Sequence, residues 1–297
     1  MDIILKTNGL TKEFGFNKAV DHVNMTIYKG DIYGFIGKNG AGKTTFMRMV
    51  VGTALPSEGS IELFGGEELS RARSRIGSLM ESPGIYSNCS AVENMKRFSI
   101  LFGGSPEDIK CILDMVGLGD TGRKPVMEFS LGMKQRLGIA IALLGEPEFL
   151  VLDEPVNGLD PAGMREMRNL ILKLNKEKNI TFLISSHLLD ELSKVVTKYG
   201  IINKGRLVEE ISADELELRC QHKLRILVDD TEKAKQVLSQ VLAPEEIETV
   251  EGAILISKHM DEGAELNQLL SKNDVLVSRI ESLTDGLEEY FIERIGE

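Results

Sequence analysis

The sequence predicts an α/β fold whose sheet carries a phosphate-binding loop, followed by a small α+β domain. Three observations carry this expectation. The stretch Gly37-Lys38-Asn39-Gly40-Ala41-Gly42-Lys43-Thr44 fits the spacing G-x-x-x-x-G-K-[ST] and lies between an apolar β-forming run at 31–36 and a helical pattern that ends at Gly52. Two short apolar runs, 149–152 and 180–185, read as strands buried on both faces, as in a parallel sheet. Beyond Glu215 the pattern changes to β-α-β-β-α-β.

In chain order, 3–7 and 25–28 read as strands of an N-terminal β-layer, with Asn8-Gly9 and Lys29-Gly30 as turn signals. Phe14 and Phe16 fall between them in a glycine-containing loop, where each ring either plugs the layer or offers a face to a purine base. The loop at Gly37, Asn39, Gly40, Ala41 and Gly42 needs its glycines because backbone N–H groups must approach an anion unobstructed. It opens a helix at Thr45, and the N-terminal dipole of a helix favours negative charge. Lys43 is placed to reach the terminal phosphates. Thr44 offers its hydroxyl to Mg²⁺, a cation that stays largely hydrated and takes few protein oxygens.

Strands at 60–64 and 75–80 follow, and the second ends in Glu81-Ser82-Pro83-Gly84. Glu81 there is either a solvated turn carboxylate or a member of the Mg²⁺ shell. Residues of about 85–145 lose strand character and form a helical subdomain. Ser105-Pro106-Glu107-Asp108 is a complete helix start, and Ser130, followed by Gly132, caps a helix that runs to Leu144 and offers a second anion site.

Chemistry gathers at the ends of the buried strands, where open α/β sheets bind their ligands. Asp153 and Glu154 close the run at 149–152, suited respectively to anchoring Mg²⁺ and to acting as general base toward water. The turn Asn157-Gly158-Leu159-Asp160-Pro161 leads into an amphipathic helix bearing Met164, Met167, Leu170, Ile171 and Leu174. The next strand delivers Ser186-His187 to the same sheet edge, where an imidazole meets a γ-phosphate or the attacking water.

Composition bounds the rest. The 297 residues suffice for one large and one small domain, placed at 1–215 and 216–297. No apolar run approaches the roughly 18–20 residues needed to span a bilayer, and the N-terminus lacks the features of a signal peptide, so a cytosolic protein is expected. Cys89, Cys111 and Cys220 form no ligand or redox spacing. From Leu216 onward 9 Lys+Arg face 18 Asp+Glu, a net of −9, against 26 and 28, or −2, before it. So acidic a segment is a poor partner for nucleic acid.

In that segment, strands at 223–228, 247–250, 253–257 and 275–280 alternate with helices at 231–242 and 262–270, and a last helix is expected at 283–295. Ala234, Val237, Leu238, Val241 and Leu242 share one face of the first of these helices. The order is the ferredoxin-like split βαβ, with no catalytic constellation, which suggests an accessory or dimer-supporting role.

The series Gly37 to Thr44, Ser130 to Arg136, Leu150 to Glu154, Gly158-Leu159-Asp160 and His187, in this order and at these separations, resembles the ATP-binding subunit of an ATP-binding cassette transporter. The resemblance covers about the first 215 residues. It implies a P-loop NTPase cassette with mixed sheet, N-terminal β-layer and helical subdomain, acting as an ATPase with ATP and Mg²⁺. It further implies a homodimer closed head to tail around two ATP molecules, so that Ser130 and Gly132 of one copy meet the γ-phosphate held by Gly40, Lys43 and Thr44 of the other. Asp160 then lies at the dimer seam, and Phe14 stacks on adenine while Phe16 stays in the core. Separately encoded integral-membrane permease subunits are implied as partners, with the chain at the cytoplasmic face of the membrane.

Two departures from the family pattern stand out. The signature reads Phe129-Ser130-Leu131-Gly132-Met133, and the loop that normally carries a glutamine carries Glu81. Both are similar to the branch that includes bacitracin-resistance and lantibiotic self-immunity exporters. The competing reading is a cassette ATPase that transports nothing and acts as a nucleotide-dependent binding module in translation or DNA repair. A single cassette without coiled coils or zinc cysteines argues against it.

Overall fold

Ile32–Ile36 has no exposed position, and the strand it forms sits inside the sheet that organises the N-terminal unit. The computed structural model describes residues 2–80, 84–187, 193–219, 222–250, 252–257, 262–284, 290–292 and 294. They divide into two compact units, Met1–Ala213 and Asp214–Glu297.

The first unit runs β1 (Ile3–Phe14), β2 (Asn17–Tyr28), β3 (Ile32–Ile36), α1 (Lys43–Val51), β4 (Glu58–Leu63), α2 (Leu69–Arg73), β5 (Ile76–Leu79), α3 (Ala91–Phe102), α4 (Pro106–Met115), α5 (Leu131–Ala142), β6 (Phe149–Asp153), α6 (Pro161–Lys178), β7 (Thr181–Ser186), β8 (Lys198–Asn203) and β9 (Arg206–Ser212). Its main sheet has the order β5-β6-β7-β3-β8-β9, parallel except for β9, which pairs antiparallel to β8. This is the expected mixed sheet. Strands β2-β1-β4 form a separate antiparallel layer. Phe35 of β3 and Phe46 of α1 meet at 5.1 Å between ring centroids, and Val23, Met25 and Leu63 of the antiparallel layer join the same apolar cluster. The apolar face of α1 is thereby buried, which holds the start of that helix against the end of β3.

The helical part shows how local sequence sets boundaries. Ser90 and Glu93 form a reciprocal capping box at the start of α3, and Ser105 and Asp108 do the same for α4, with Pro106 in its first turn. Each such cap is worth about 1 kcal/mol. The hydrogen bonds from Ser90 and Ser105 hold the Glu93 and Asp108 carboxyls below their usual range.

The β-layer differs from expectation. Asn8-Gly9 makes no turn: β1 passes through it with a register shift between Thr7 and Leu10, and the Gly9 N–H donates to the Asn24 side chain at 2.7 Å. The chain reverses instead at Gly15-Phe16, with Phe14 paired to Asn17 and Gly15 at a φ of 60°. Phe16 therefore projects from a two-residue turn and is fully exposed, so its expected place in the core is corrected. Phe14 is 58 % exposed, with the Lys12 ammonium 5.2 Å from its ring centre.

The second unit contains α7 (Ala213–Arg219, whose first residue belongs to the first unit), β10 (His222–Val228), α8 (Thr231–Leu238), β11 (Ile247–Val250), β12 (Ala253–Ser257), α9 (Gly263–Lys272) and β13 (Val277–Thr284). The sheet order β11-β12-β10-β13, antiparallel throughout, is the ferredoxin-like arrangement. Leu224, Ile226, Ala234, Leu238, Ile254, Ile256 and Leu270 fill its core. The helix expected at 231–242 stops at Leu238, so Leu242 reaches the core from a turn while Val241 is exposed rather than sharing its face. The last strand sits later than expected, and Leu283 and Thr284 end it instead of opening a helix. Tyr290, Phe291 and Ile292 are helical.

Candidate nucleotide site

The site forms where β3, β6 and β7, adjacent and parallel, all end on the same edge. Between β3 and α1 the loop turns through Gly42, whose φ of 108° suits glycine and which caps the helix. A Cβ on Gly42 would collide with the Ala19 carbonyl, and one on Gly37 with the Ile202 carbonyl. Ala41 is buried under the loop, Asn39 and Gly40 are exposed on it, and Thr45 is half-buried in the first turn of α1.

Lys43 is 5 % exposed. A buried ammonium is costly unless its protons are taken. Here Nζ donates to the Gly37 carbonyl at 2.7 Å and to the Lys38 carbonyl at 3.4 Å, and lies 3.3 Å from Glu154 Oε1. Thr44 Oγ1 donates to Asp153 Oδ2 at 2.7 Å. His187 Nδ1 lies 2.7 Å from Glu154 Oε2. Glu154 itself sits at a φ of 50°, which a residue with a side chain adopts only where its surroundings hold it.

Lys43, Thr44, Asp153, Glu154 and His187 are thus brought into one cluster. Ser130, Gly132 and Asp160 are elsewhere. Ser130 is exposed and caps α5 by accepting the Met133 N–H at 3.2 Å, and Asp160 is exposed and caps α6 by accepting the Gly163 N–H at 2.9 Å. The two helix starts touch each other: Leu131 packs over Gly158, and Gly132 faces Leu159. Phe14 ends β1 opposite Asn17, which precedes by two residues Ala19, whose carbonyl abuts Gly42. Glu81 lies outside the described residues.

One residue that the sequence reading passed over belongs to the cluster. Ser185 Oγ donates to Asp153 Oδ1 at 2.5 Å and accepts the Glu154 N–H at 2.8 Å. The sequence signal was limited to two serines, Ser185 and Ser186, closing a strand whose centre, Phe182 to Ile184, is apolar.

The donor set fits Mg²⁺, because a hydroxyl and a carboxylate are hard oxygen ligands and few are needed beside phosphate oxygens and water. Among the described residues there is no group of three or more His, Cys, Asp or Glu that would make a dedicated cage.

The family model described as ABC transporter matches residues 20–157. The bacitracin transport ATP-binding protein of Bacillus licheniformis is 45% identical over 301 residues, covering 100% of this chain and 98% of that protein. The chain belongs to the ABC transporter family. As a member of it, the chain is an ATP-binding, ATP-hydrolysing subunit. The lantibiotic transport ATP-binding protein of Streptococcus pyogenes is 45% identical over 212 residues, 71% of this chain and 92% of its own length. Among solved structures, the ADP conformation of an ATP-binding cassette of an ABC transporter superposes with a TM-score of 0.66 at 26% identity, covering 72% of this chain and 93% of the other. No helix among the described residues of this ABC subunit is long and apolar enough to cross a membrane.

Proposed function

We propose that this chain powers an exporter of antimicrobial peptides or drugs, in self-immunity or resistance, from the cytoplasmic face of the membrane. Similarity over the full chain to a bacitracin transport ATP-binding protein, and over the cassette to a lantibiotic one, supports that class of cargo. The observation that carries the catalytic part is the buried contact of Lys43 with Glu154, beside Asp153 and Thr44, at one sheet edge.

In this reading the backbone N–H groups of Gly40, Ala41, Gly42, Lys43 and Thr44, at the N-terminus of α1, bind the β- and γ-phosphates of ATP. Lys43 carries positive charge to the terminal phosphate. The entering phosphate competes with Glu154 for the Lys43 ammonium and releases the carboxylate to take a proton from water attacking in line. His187 orients Glu154 through the contact at Oε2. Thr44 and Asp153 would hold Mg²⁺, which when bound would supply positive charge to the phosphate oxygens. Phe14 would stack on adenine, and Glu81 would offer a carboxylate to Mg²⁺.

Ser130, Gly132 and Asp160 act in trans. They are exposed or half-exposed at the starts of α5 and α6, where Ser130 bonds the Met133 N–H, Asp160 bonds the Gly163 N–H and Gly132 faces Leu159. A head-to-tail homodimer gives them a γ-phosphate to meet. The remaining partners are separately encoded permease subunits, and nucleic acid is not among them. The tagged chain recovered from native membranes should bring down a polytopic permease, and recovery with ribosomes or DNA in its place overturns the transport reading.

A further inference from the structure

Four groups at the sheet edge form one unbroken hydrogen-bonded line. Thr44 Oγ1 donates to one oxygen of Asp153, Ser185 Oγ donates to the other, and the Glu154 N–H donates to the same Ser185 oxygen. Ser185 stands opposite Asp153 in the parallel pairing of β6 with β7, and it is fully buried. A serine hydroxyl has one proton to give and lone pairs with which to accept. Here the proton goes to the Asp153 carboxylate and a lone pair takes the N–H of Glu154.

Those two partners have separate tasks. One oxygen of Asp153 faces the Thr44 hydroxyl, and a carboxylate rotates about its last bond unless both of its oxygens are engaged. Ser185 engages the second. Glu154 is held in a left-handed backbone conformation, and the bond from its N–H to Ser185 is one of the restraints that keep it there. An apolar residue in place of Ser185 would leave a buried carboxylate oxygen without its donor and a backbone N–H without its acceptor.

We propose that Ser185 is a positioning residue for hydrolysis, fixing the plane of the Asp153 carboxylate and the backbone of Glu154 with one hydroxyl. The inference rests on the roles given above to Asp153 and Glu154. Groups that orient metal-side ligands typically matter about 10–100-fold in metal affinity or activity.

The test uses the full chain with Ser185→Ala and Ser185→Thr, and reads three quantities. These are turnover at saturating ATP and Mg²⁺, binding of a fluorescent ATP analogue with and without Mg²⁺, and thermal unfolding. Ser185→Ala should bind the analogue without Mg²⁺ within about twofold of the unsubstituted chain, while turnover and the gain in binding on adding Mg²⁺ each fall about 10-fold or more. Ser185→Thr keeps the hydroxyl and should restore both. Should the threonine variant fail to fold, the Mg²⁺ response of Ser185→Ala decides by itself.

Unchanged turnover and an unchanged Mg²⁺ gain in Ser185→Ala overturn the inference, whatever the melting temperature does. Glu154→Gln is run alongside. If Glu154→Gln is inactive and Ser185→Ala behaves normally, only the role of Ser185 fails. If Glu154→Gln turns over at the normal rate, the roles assigned to Glu154 and to Ser185 fall together.

Discussion

Among the described residues, every buried polar or charged side chain lies in the first unit, Lys43, Asp153, Ser185 and Ser186 included, whereas the core of Asp214–Glu297 is apolar throughout. Ion pairs of the second unit, such as Lys223 with Glu248 and Arg225 with Glu281, sit on partly exposed side chains, where each is worth about 0–1 kcal/mol. The first unit instead keeps a cation and a carboxylate out of water and satisfies them with carbonyls, hydroxyls and each other. Such an arrangement adds little to stability compared with apolar packing. Among the described residues, the buried cation and carboxylate therefore belong to the unit that carries the phosphate loop.

The comparison is broken most forcefully at Glu154. Glu154→Gln should leave ATP binding intact and lower turnover by about a hundredfold or more, measured as phosphate release. Normal turnover in that variant removes Glu154 from its role. In the second unit, Ile226→Ala should cost about 2–5 kcal/mol in denaturant unfolding of that unit, yet leave nucleotide affinity unchanged. A parallel loss of affinity would mean that the acidic domain is part of the site. Within the first unit, Phe14→Ala should weaken ATP binding by about 1–3 kcal/mol in a titration, the worth of stacking a base on a ring. Phe16→Ala, with nothing packed on the ring, should change stability by no more than about 0.5 kcal/mol in thermal unfolding.

A further prediction concerns acid. Hydrogen bonds from His22 and then Arg206 lower the Asp21 carboxyl from 3.8 to about 2. A folded value below the unfolded one means that the contribution is present above about pH 3.8 and is lost as pH falls toward 2. Asp21→Asn should therefore make stability fall less steeply between these two pH values, as read by thermal unfolding.

What the sequence revealed follows from the range of the forces involved. The start of α4 was legible because its cap is closed within three residues, Ser105 with Asp108. The strand Phe149–Asp153 was legible because burial on both faces leaves an unbroken apolar run. The passage of β1 through Asn8-Gly9 was not, since it is fixed by Asn24, 15 residues away along the partner strand. Ser185 was missed for the same reason: its two partners are 31 and 32 residues distant, and a pair of serines at a strand end names neither. Phe16 illustrates the opposite error, an aromatic assigned to the core on residue type alone when the turn at Gly15 carries it into solvent.

The exposed starts of α5 and α6 have a genetic consequence. In the proposed pair, each working centre takes Glu154 from one chain and Ser130 from the other. A chain with Glu154→Gln and a chain with Ser130→Ala are each defective when paired with themselves. Mixed together they form a heterodimer in which one centre carries both lesions and the other carries none, so two inactive alleles restore one functional centre.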